Sequence, residues 1–494
     1  MYYLLLLTIF LLILYLIRAI RKPKNFPPGP FWFPIIGNVF QLRKLTAALG
    51  GQYLAFSKLS EDYESNVIGL KLGVNKVVVV LSYGAVKKVL TSEEYDGRPD
   101  NFFIRLRSMG TRNGITGTDG ELWKIQRHFV TLHLRQLGLG KKPMESHIQD
   151  EVSEMLTVLE KNKNKELEIE TIMQISVLNV LWVFIAGSRF QRNHVRLVEL
   201  LKLLDERGKA FDIAGGALNH MPWLRFLAPE KTCYNLALKV NDKFKAMLME
   251  PIREHFETWT EGRDDDLIHF FITEMRKVRD EETTFTETQL LMVCLDIFLA
   301  GSQTSSSTLT FAFLMMLLNP DVKKKVHDCL DKEFGKSEPI TLSERNRVPY
   351  VEAVLFEVER MFTTTPIIGP RRVLKNTVLE GYNIPKDTTV LMSLYSLHND
   401  EKYWTDPGIF RPERFLDEEG KLIFHERLLP FGLGRRRCPG EILAKSCIFS
   451  FFSEVMRSYN IESPPGTQVP SGKHHSGITL IPQKYRVVFD KRHF

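Results

Sequence analysis

The chain has few cysteines, and no two of them are close in sequence. An odd number of cysteines without any Cys-x-x-Cys motif argues against both a disulfide framework and a structural zinc site. The five are Cys233, Cys294, Cys329, Cys438 and Cys447. A reducing compartment is the simplest interpretation of this pattern.

Strong charge is also missing. The net charge is only +7 over 494 residues, and no dense run of lysine and arginine indicates nucleic-acid binding. A modest positive charge fits better with a basic patch that faces an acidic protein partner or an anionic membrane. Hydrophobic residues make up 44% of the chain, so we expect a packed core and no long disordered segment.

The N-terminus carries a long apolar run. Residues 2–17 contain Thr8 as their only non-aromatic polar residue. Extended to Ile20, the run would span roughly 28 Å as a helix, close to the thickness of a bilayer core. A cleaved signal peptide is the alternative, but no basic segment precedes the run and no small-residue cleavage site follows it. Basic residues follow it instead, which predicts a single-span anchor over residues 1–22 with the bulk of the chain in the cytosol.

The rest of the chain reads as mainly helical with a minor β region. A stiff, proline-rich hinge over residues 23–30 precedes a large catalytic region, residues 31–494. Helical periodicity dominates from about residue 83 to 365. Strand-like segments lie outside that stretch, at 66–82 as a β-hairpin, around 370–393, and near 476–489.

The longest helical segment begins near Thr286 and ends at an Asn-Pro pair. Thr286 and Gln289 form a predicted capping box. A second membrane span is the alternative interpretation, but Asp296, Gln303 and a cluster of Ser and Thr would be costly in lipid. We therefore expect a buried core helix. Gly301 in its middle costs about 1 kcal/mol relative to alanine, so something must need the space beside it.

"RRRCPG", Arg435 to Gly440, sets three arginines beside one cysteine, just before an apolar stretch. Cationic neighbours and a helix N-terminus both lower the pKa of a thiol. The stretch therefore predicts that Cys438 is a thiolate at the N-terminus of a helix. Such an anion is expected to have a binding partner.

The longer stretch "FGLGRRRCPG" has the full pattern F-x-x-G-x-R-x-C-x-G, and here the chain resembles the cytochrome P-450 superfamily, the haem-thiolate monooxygenases. Other landmarks follow in the order that this family has: "WKIQR" (123–127), "AGSQT" (300–304), "EVER" (357–360) and "PERF" (412–415). The resemblance covers essentially the whole chain. It implies the cytochrome P-450 fold, mainly α with a minor β region, preceded by one N-terminal transmembrane helix.

The resemblance implies haem b, iron protoporphyrin IX, as cofactor, with the Cys438 thiolate as the axial iron ligand. Gly434 and Gly440 would let the backbone approach the porphyrin, and Pro439 suits the first helical position. Trp123 and Arg127 lie four residues apart and share a helix face, so both can reach a propionate. The cofactor-binding residues that the resemblance implies are Arg98, Trp123, Arg127, His398, Phe431, Arg436 and Cys438.

Two further groups follow from the resemblance. Glu357, Arg360 and Arg414 would form a buried ion network that fixes the haem-binding core. On the opposite haem face, Gly301 would leave room for oxygen and Thr304 would organise a proton-delivering water. The family usually has an acid before that threonine, where this chain has Gln303. Glutamine cannot ionise, so we predict that Gln303→Glu changes the ratio of product to peroxide more than it changes substrate affinity.

The resemblance also implies partners and a location. Electrons would come from NADPH through a membrane-bound NADPH-cytochrome reductase, with cytochrome b5 as an optional second donor, at the endoplasmic reticulum membrane. The reductase would dock on the cysteine side, where Arg435, Arg437, Arg135 and Lys142 supply basic surface. The apolar substrate cavity would include Phe102, Phe103, Leu299, Ala300, Ile367, Ile368 and Ile478. Residues 214–229 resemble the loop that dips into the membrane.

The substrate is the least determined feature. The stretches at 95–123 and 298–310 are similar to those of insect microsomal members that epoxidise farnesoic acid or its methyl ester on the way to juvenile hormone. Hydroxylation of plant toxins or insecticides and N-hydroxylation of amino acids remain open. So do a haem-thiolate isomerase or dehydratase that needs no reductase, against which Thr304 argues, and a non-enzymatic haem carrier or sensor.

Overall fold

The computed structural model describes residues 2–211, 216–277, 283–335 and 339–492. Helices dominate these ranges, as predicted. They are α1 Tyr2–Ile20, α2 Val39–Leu49, α3 Gln52–Asp62, α4 Tyr83–Thr91, α5 Phe102–Arg107, α6 Gly120–Gln136, α7 Lys142–Lys161, α8 Ile169–Ala186, α9 Val195–Ala210, α10 Gly216–His220, α11 Leu224–Leu227, α12 Tyr234–Glu257, α13 Leu267–Lys277, α14 Glu287–Leu318, α15 Pro320–Glu333, α16 Pro349–Phe362, α17 Leu394–His398 and α18 Glu441–Ser458.

The β region is small and lies outside the helical body. Its strands are β1 Val67–Leu72, β2 Asn75–Val80, β3 Ile367–Arg372, β4 Thr377–Leu379, β5 Tyr382–Ile384, β6 Thr389–Ser393, β7 Tyr459–Glu462, β8 His474–Ser476, β9 Leu480–Pro482 and β10 Val488–Lys491. The main sheet has the order β1-β2-β6-β3, and β2 runs parallel to β6. The predicted hairpin is confirmed: β1 and β2 pair antiparallel around a turn in which Gly73 has a φ of +61°.

Three helices of the described residues, α1, α8 and α14, are long and apolar enough to cross a membrane by length and composition. Helices α8 and α14 are mostly buried and pack against each other within the protein, whereas α1 has no buried residue. The prediction that α14 is a core helix and not a second span is therefore confirmed. Polar residues on α14 find partners inside the protein, which a lipid surrounding would not offer.

The start of α14 differs from the predicted capping box. The Thr286 side chain accepts a hydrogen bond from the backbone N–H of Gln289, as expected for an N-cap. The Gln289 side chain does not complete the box, because its amide exchanges two hydrogen bonds with the backbone of Gly114, at 3.0 and 3.2 Å. A long-range contact thus replaces the local one and ties α14 to the loop before α6.

At Gly301, α14 packs tightly against α8. A Cβ atom at this position would lie 2.2 Å from Cδ2 of Leu181. The space that the sequence predicted beside Gly301 is therefore filled by a leucine side chain of α8. Close helix packing is one need for a glycine here, and Gly301 also lines the cavity that contains Cys438.

Candidate active site

A largely apolar cavity of about 350 Å³ lies between α14 and the loop that precedes α18. Ala300 and Thr304 of α14 form one wall, and Phe431 and Cys438 of the loop form the other. Helix α6 and strand β3 supply charged side chains to the same cavity. Residues from distant parts of the sequence therefore meet around one concave space, the usual form of a small-molecule site.

Cys438 is held at the cavity by its backbone, whose N–H donates to the Phe431 carbonyl at 2.9 Å. Helix α18 begins three residues later, at Glu441, with Gly440 as its N-cap. Pro439 therefore precedes the helix and does not occupy its first position. Burial raises the pKa of the Cys438 thiol, against the opposing effects of the Gly440 N–H and of Arg127.

The prediction that the flanking arginines lower the pKa of Cys438 is thus wrong. Arg435 turns outward to ion pairs with Glu93 and Asp96. Arg436 turns to the other side and donates to the backbone carbonyls of Thr118 and Asp96, at 2.8 and 2.7 Å. Neighbouring side chains along the loop point in different directions, so adjacency in sequence does not bring these cations to the sulfur. A thiolate here would have to be stabilised by a bound metal, which deprotonates a coordinating thiol.

Three arginines converge on one side of the cavity: Arg371, which is buried, and Arg98 and Arg436, which are partly buried. Burial lowers their pKa values, to about 10 for Arg98, about 8 for Arg371 and about 9 for Arg436. Each of the last two is lowered further by the positive charge of Arg98.

Several guanidinium nitrogens of this cluster have no hydrogen-bond partner among the described residues: Nε of Arg98, Nε of Arg436, and Nε and Nη1 of Arg371. The one carboxylate near Arg371 is Asp96, at 3.5 Å from Nη1. Buried donors without acceptors cost free energy, and buried cations are normally paired. The cluster is therefore suited to bind an anion with more than one oxygen.

Arg371 is a site residue that the sequence analysis missed. It stands next to Arg372 on β3, and the two point to opposite faces of the strand. Arg372 faces outward and pairs with Asp119 and Asp387 at 2.7 and 2.8 Å. The signal that could have identified Arg371 was this alternation in a short strand, but only the sheet shows which face meets the cavity.

Trp123 and Arg127 line the cavity from the same face of α6. The Arg436 guanidinium lies 3.7 Å from the centroid of a Trp123 ring, a cation–π contact. Arg127 donates to the Arg437 carbonyl at 2.6 Å. Helix α6 is thereby joined to the loop that carries Cys438.

His398 does not face the cavity, contrary to the predicted contact with a propionate. It is fully buried, and its Nε2 accepts a hydrogen bond from the Leu429 N–H at 3.0 Å. Its Nδ1 lies 2.9 Å from the Thr363 hydroxyl oxygen. Burial, with the charge of Arg360, lowers the pKa of His398 to about 3. The ring is a neutral structural link and has no free nitrogen for a ligand.

The predicted ion network is present. Glu357 and Arg360 are completely buried and form a bidentate pair, at 2.7 and 2.8 Å. Arg414 adds a third contact, from its Nε to a Glu357 oxygen at 3.0 Å. Arg360 also donates to the His398 carbonyl at 2.8 Å. The network therefore joins α16 to α17 and to the segment before the Cys438 loop.

On the α14 wall, Thr304 lines the cavity and its hydroxyl donates to the Ala300 carbonyl at 2.9 Å. Gln303 points away from this wall, and its amide donates to Asp205 of α9 at 2.9 Å. Asp205 lies near Glu170, whose pKa is raised to about 7 by burial and by the charge of Asp205. Gln303→Glu would thus put a third carboxyl group into a buried acidic cluster.

The predicted substrate-contacting residues divide into two groups. Ala300 and Ile368 line the cavity. Leu299 and Ile367 pack in the main core. A separate apolar cluster contains the rest, Phe102, Phe103 and Ile478, together with Phe211 and Leu218. These three residues therefore do not line the cavity, because α5 packs toward α10 and α12 there.

The family model described as "Cytochrome P450" matches residues 27–489. The chain is 45% identical over 486 residues to "Probable cytochrome P450 305a1" of Drosophila melanogaster, covering 97% of this chain and 96% of that protein. It is 33% identical over 483 residues to "Farnesoate epoxidase" of Bombyx mori, with 98% and 97% covered. It is 34% identical to "Cytochrome P450 2J5" of Mus musculus, with 97% and 93% covered.

Proposed function

The chain belongs to the cytochrome P450 family, whose members are haem-thiolate monooxygenases fuelled by electrons from NADPH, and we propose that it oxidises a lipophilic substrate at the cavity beside Cys438. Redox reductases are the general partners of the family. An NADPH-cytochrome reductase is therefore the proposed electron donor here, with cytochrome b5 as an optional second one.

The donor set of the cavity fits haem. Cys438 would supply one sulfur ligand for iron, and the cluster of Arg98, Arg371 and Arg436 would supply unpartnered donors for two propionates. Trp123 and Arg127 belong to the same binding surface. When bound there, haem supplies the activation of O2, which a thiolate ligand favours by pushing electron density onto iron.

The chain's own residues orient the substrate and handle protons. Thr304 can hold and pass a proton at its hydroxyl, on the wall formed by α14. Gln303 is committed to Asp205, so it serves the packing of α9 on α14 in this proposal. The apolar lining, including Ile115, Ile297 and Ile368, excludes water and holds an apolar substrate.

We place the enzyme at the endoplasmic reticulum membrane. Helix α1 is apolar and has no buried residue, as a single-span anchor requires. It corresponds to the anchor predicted over residues 1–22, followed by the hinge at 23–30 and the catalytic region at 31–494. Trp223, Phe226 and Leu227 are each more than half exposed around α11 and would touch the bilayer. Residues 214 and 215 of the predicted membrane loop lie outside the described residues.

Docking of the reductase would use basic surface on the Cys438 side. Arg135, Lys142 and Arg437 are exposed there. Arg435 is no longer part of this set, because Glu93 and Asp96 neutralise it. The remaining three cations can attract an acidic partner.

The proposed reaction is epoxidation of farnesoic acid or methyl farnesoate, as in juvenile hormone biosynthesis. The similarity to the Bombyx mori protein named farnesoate epoxidase supports it, together with the apolar cavity. At 33% identity the substrate of that relative does not transfer by itself. Oxidation of a xenobiotic or of an amino acid is the alternative that the same experiment tests.

One observation carries the proposal: Cys438 shares one cavity with three arginines that have buried nitrogens without a hydrogen-bond partner among the described residues. The test is reconstitution in lipid with reductase and NADPH, with both terpenoids, fatty acids, phenylalanine and model xenobiotics as substrates. We expect NADPH-dependent O2 uptake and an oxygenated terpenoid. Turnover without reductase would indicate an isomerase instead.

Cys438→Ser should remove the thiolate-type carbonyl absorption band and the activity together. Cys329→Ser, a partly buried cysteine outside the cavity, is the matched control and should retain both. A normal carbonyl band in the Cys438→Ser protein would refute the assignment of the iron ligand.

A further inference from the structure

A second, smaller cavity of about 50 Å³ adjoins the cavity that contains Cys438. Thr304 of α14 lines both of them, so the two spaces are adjacent at this residue. Glu359 of α16 lines the smaller one. The smaller cavity therefore brings a carboxyl group to the residue whose hydroxyl can pass protons in the larger cavity.

Hydroxyl groups are frequent around the smaller cavity. Six of its lining residues carry one: Thr304, Ser305, Thr308, Thr363, Thr364 and Thr365. The hydroxyl oxygens of Thr308 and Thr364 lie 3.1 Å apart and join α14 to the segment after α16. A cavity with several donors and acceptors is of the kind that holds ordered water, whereas a purely apolar one stays dry. Water and hydroxyl groups can therefore connect Glu359 to Thr304.

Glu359 is a buried acid with an unsatisfied oxygen. Its side chain is 8% exposed, and its Oε2 has no hydrogen-bond partner among the described residues. Burial raises the pKa of Glu359 to about 7. Near neutral pH the group therefore exists in both its protonated and its ionised form, which suits a residue that releases and regains a proton.

The charged groups that influence Glu359 are paired with one another. Arg345 and Glu352 form a bidentate ion pair, at 2.5 and 2.6 Å. Lys445 pairs with Glu441 at 2.8 Å. The two cations lower the pKa of Glu359 and the two carboxylates raise it, each by less than burial does. Because both cations already have a carboxylate, they leave Glu359 free to be protonated.

One other acid shares a cavity with Thr304 in the part of the chain that the structure describes. Asp296 lines the larger cavity. Its carboxylate pairs with Arg107 at 2.6 Å and accepts hydrogen bonds from the backbone N–H groups of Ile115 and Thr116, at 2.7 and 2.8 Å. These partners favour the ionised form of Asp296. Glu359 is therefore the better proton donor of the two.

We propose that Glu359 delivers protons to Thr304 through the smaller cavity, in place of the acid that the family usually has at position 303. The Glu359 carboxyl group gives its proton to a water in the cavity. That water gives a proton to the Thr304 hydroxyl oxygen, and Thr304 passes its own proton into the larger cavity. The Glu359 carboxylate then regains a proton from water, and no electron is transferred. The inference rests on the proposed function, because it concerns the protons that the monooxygenase reaction consumes.

The first test needs no turnover. Infrared spectra of the haem-loaded, full-length protein are recorded between about pH 5 and about pH 9. Subtracting the spectrum of Glu359→Gln from that of the parent protein should leave the band of one protonated carboxyl group, which disappears as the pH rises through about 7. The same subtraction in a Thr304→Val background should give a shifted band, because water bonded to both groups loses one partner. A band that does not titrate, or that Thr304→Val leaves unmoved, would overturn the proposal.

Glu170→Gln is the matched control. Glu170 is also a buried carboxyl group with a pKa of about 7, but it lines neither cavity. Its carboxyl band should therefore be the same in the parent protein and in Thr304→Val. A shift equal to that of the Glu359 band would mean that Thr304→Val acts on the whole fold, and it would refute a specific link.

The second test measures how turnover divides between product and hydrogen peroxide. The protein is reconstituted with reductase and NADPH, with methyl farnesoate and lauric acid as probes. Glu359→Gln should lower the ratio of product to peroxide at least about tenfold, with unchanged probe affinity in Soret titrations. In the parent protein the ratio should fall as the pH rises above about 7, because Glu359 loses its proton. In Glu359→Gln it should be low at every pH, and Glu170→Gln should behave as the parent protein.

The two tests separate this proposal from the proposed function. If no compound is oxidised while the Glu359 band still responds to Thr304→Val, the proposed function fails and the link between Glu359 and Thr304 stands. If product forms with the same ratio to peroxide and the same pH profile in the parent protein and in Glu359→Gln, the function stands and proton delivery by Glu359 is refuted.

Discussion

Replacement of Gly434 by alanine tests how the Cys438 loop is held in place. Gly434 has a φ of +71°, a region in which an L-residue costs about 1–2 kcal/mol. A Cβ atom there would also lie 2.2 Å from the carbonyl oxygen of Leu90, at the end of α4. This glycine therefore permits a close approach of the Cys438 loop to α4. Relief needs a backbone shift, which adds about 1–3 kcal/mol as in other overpacked sites.

Gly432 provides the control, because it lies in the same loop with a nearly equal φ of +69°. Its added Cβ would meet only Cδ1 of Ile368, at 3.2 Å, which is the movable end of a side chain. Gly432→Ala should thus report the backbone strain alone. Gly434→Ala should be less stable than Gly432→Ala by at least about 1 kcal/mol in urea unfolding. Gly434→Ala should also lose part of the thiolate-type carbonyl absorption band. Equal stability of the two variants would refute the contact with Leu90 as the constraint.

Three more outcomes follow from buried charges. Burial raises the pKa of Glu170 to about 7 in the folded protein against 4.5 for the free side chain, so the contribution of this group to stability is most favourable below pH 4.5 and becomes less favourable as pH rises to 7. In urea unfolding, Glu170→Gln should therefore raise the free energy of unfolding by up to about 3 kcal/mol at pH 8 and leave it unchanged at pH 4. An equal increase at both pH values would contradict the raised pKa of Glu170. Arg371→Met should increase the rate of haem transfer to apomyoglobin about tenfold. Arg372→Met, at an outward-facing position, is the control. Equal transfer rates in the two variants would argue against a contact between Arg371 and a propionate. Glu357→Gln should lower the free energy of unfolding by about 3–5 kcal/mol, because it leaves Arg360 and Arg414 without their carboxylate. Glu413→Gln removes a more exposed ion pair with Lys325 and should lower it by less than about 1 kcal/mol. Similar losses in these last two variants would mean that the buried network is not stabilising.

Several features could be predicted because each depends on a short stretch of chain. The hairpin of β1 and β2 follows from alternating apolar residues around a glycine turn. The pair of Glu357 and Arg360 follows from their spacing of one helical turn. Helix α14 follows from its N-cap threonine and its long apolar run. In each case the partner residues are close in sequence, so the local pattern carries the information.

His398, Gln303 and Arg371 show where such patterns fail. The sequence offered His398 as a ligand contact, but its ring is bonded on both sides inside the fold. Gln303 stands beside Thr304, yet a helix turns consecutive side chains by about 100°, so the two face different neighbours. Arg371 was overlooked because only the sheet shows which of two adjacent arginines faces inward.

By itself the sequence determined the type of chemistry, because the motif around Cys438 is contiguous and typical of one family. It also determined the apolar N-terminal helix and the mainly helical architecture. Only the tertiary structure decided how the charges are distributed. Asp296 neutralises Arg107 across 189 positions of sequence, whereas two guanidinium nitrogens of Arg371 have no hydrogen-bond partner among the described residues. Pairing depends on distance in space, and no local pattern shows which buried cation the fold leaves without a full set of partners.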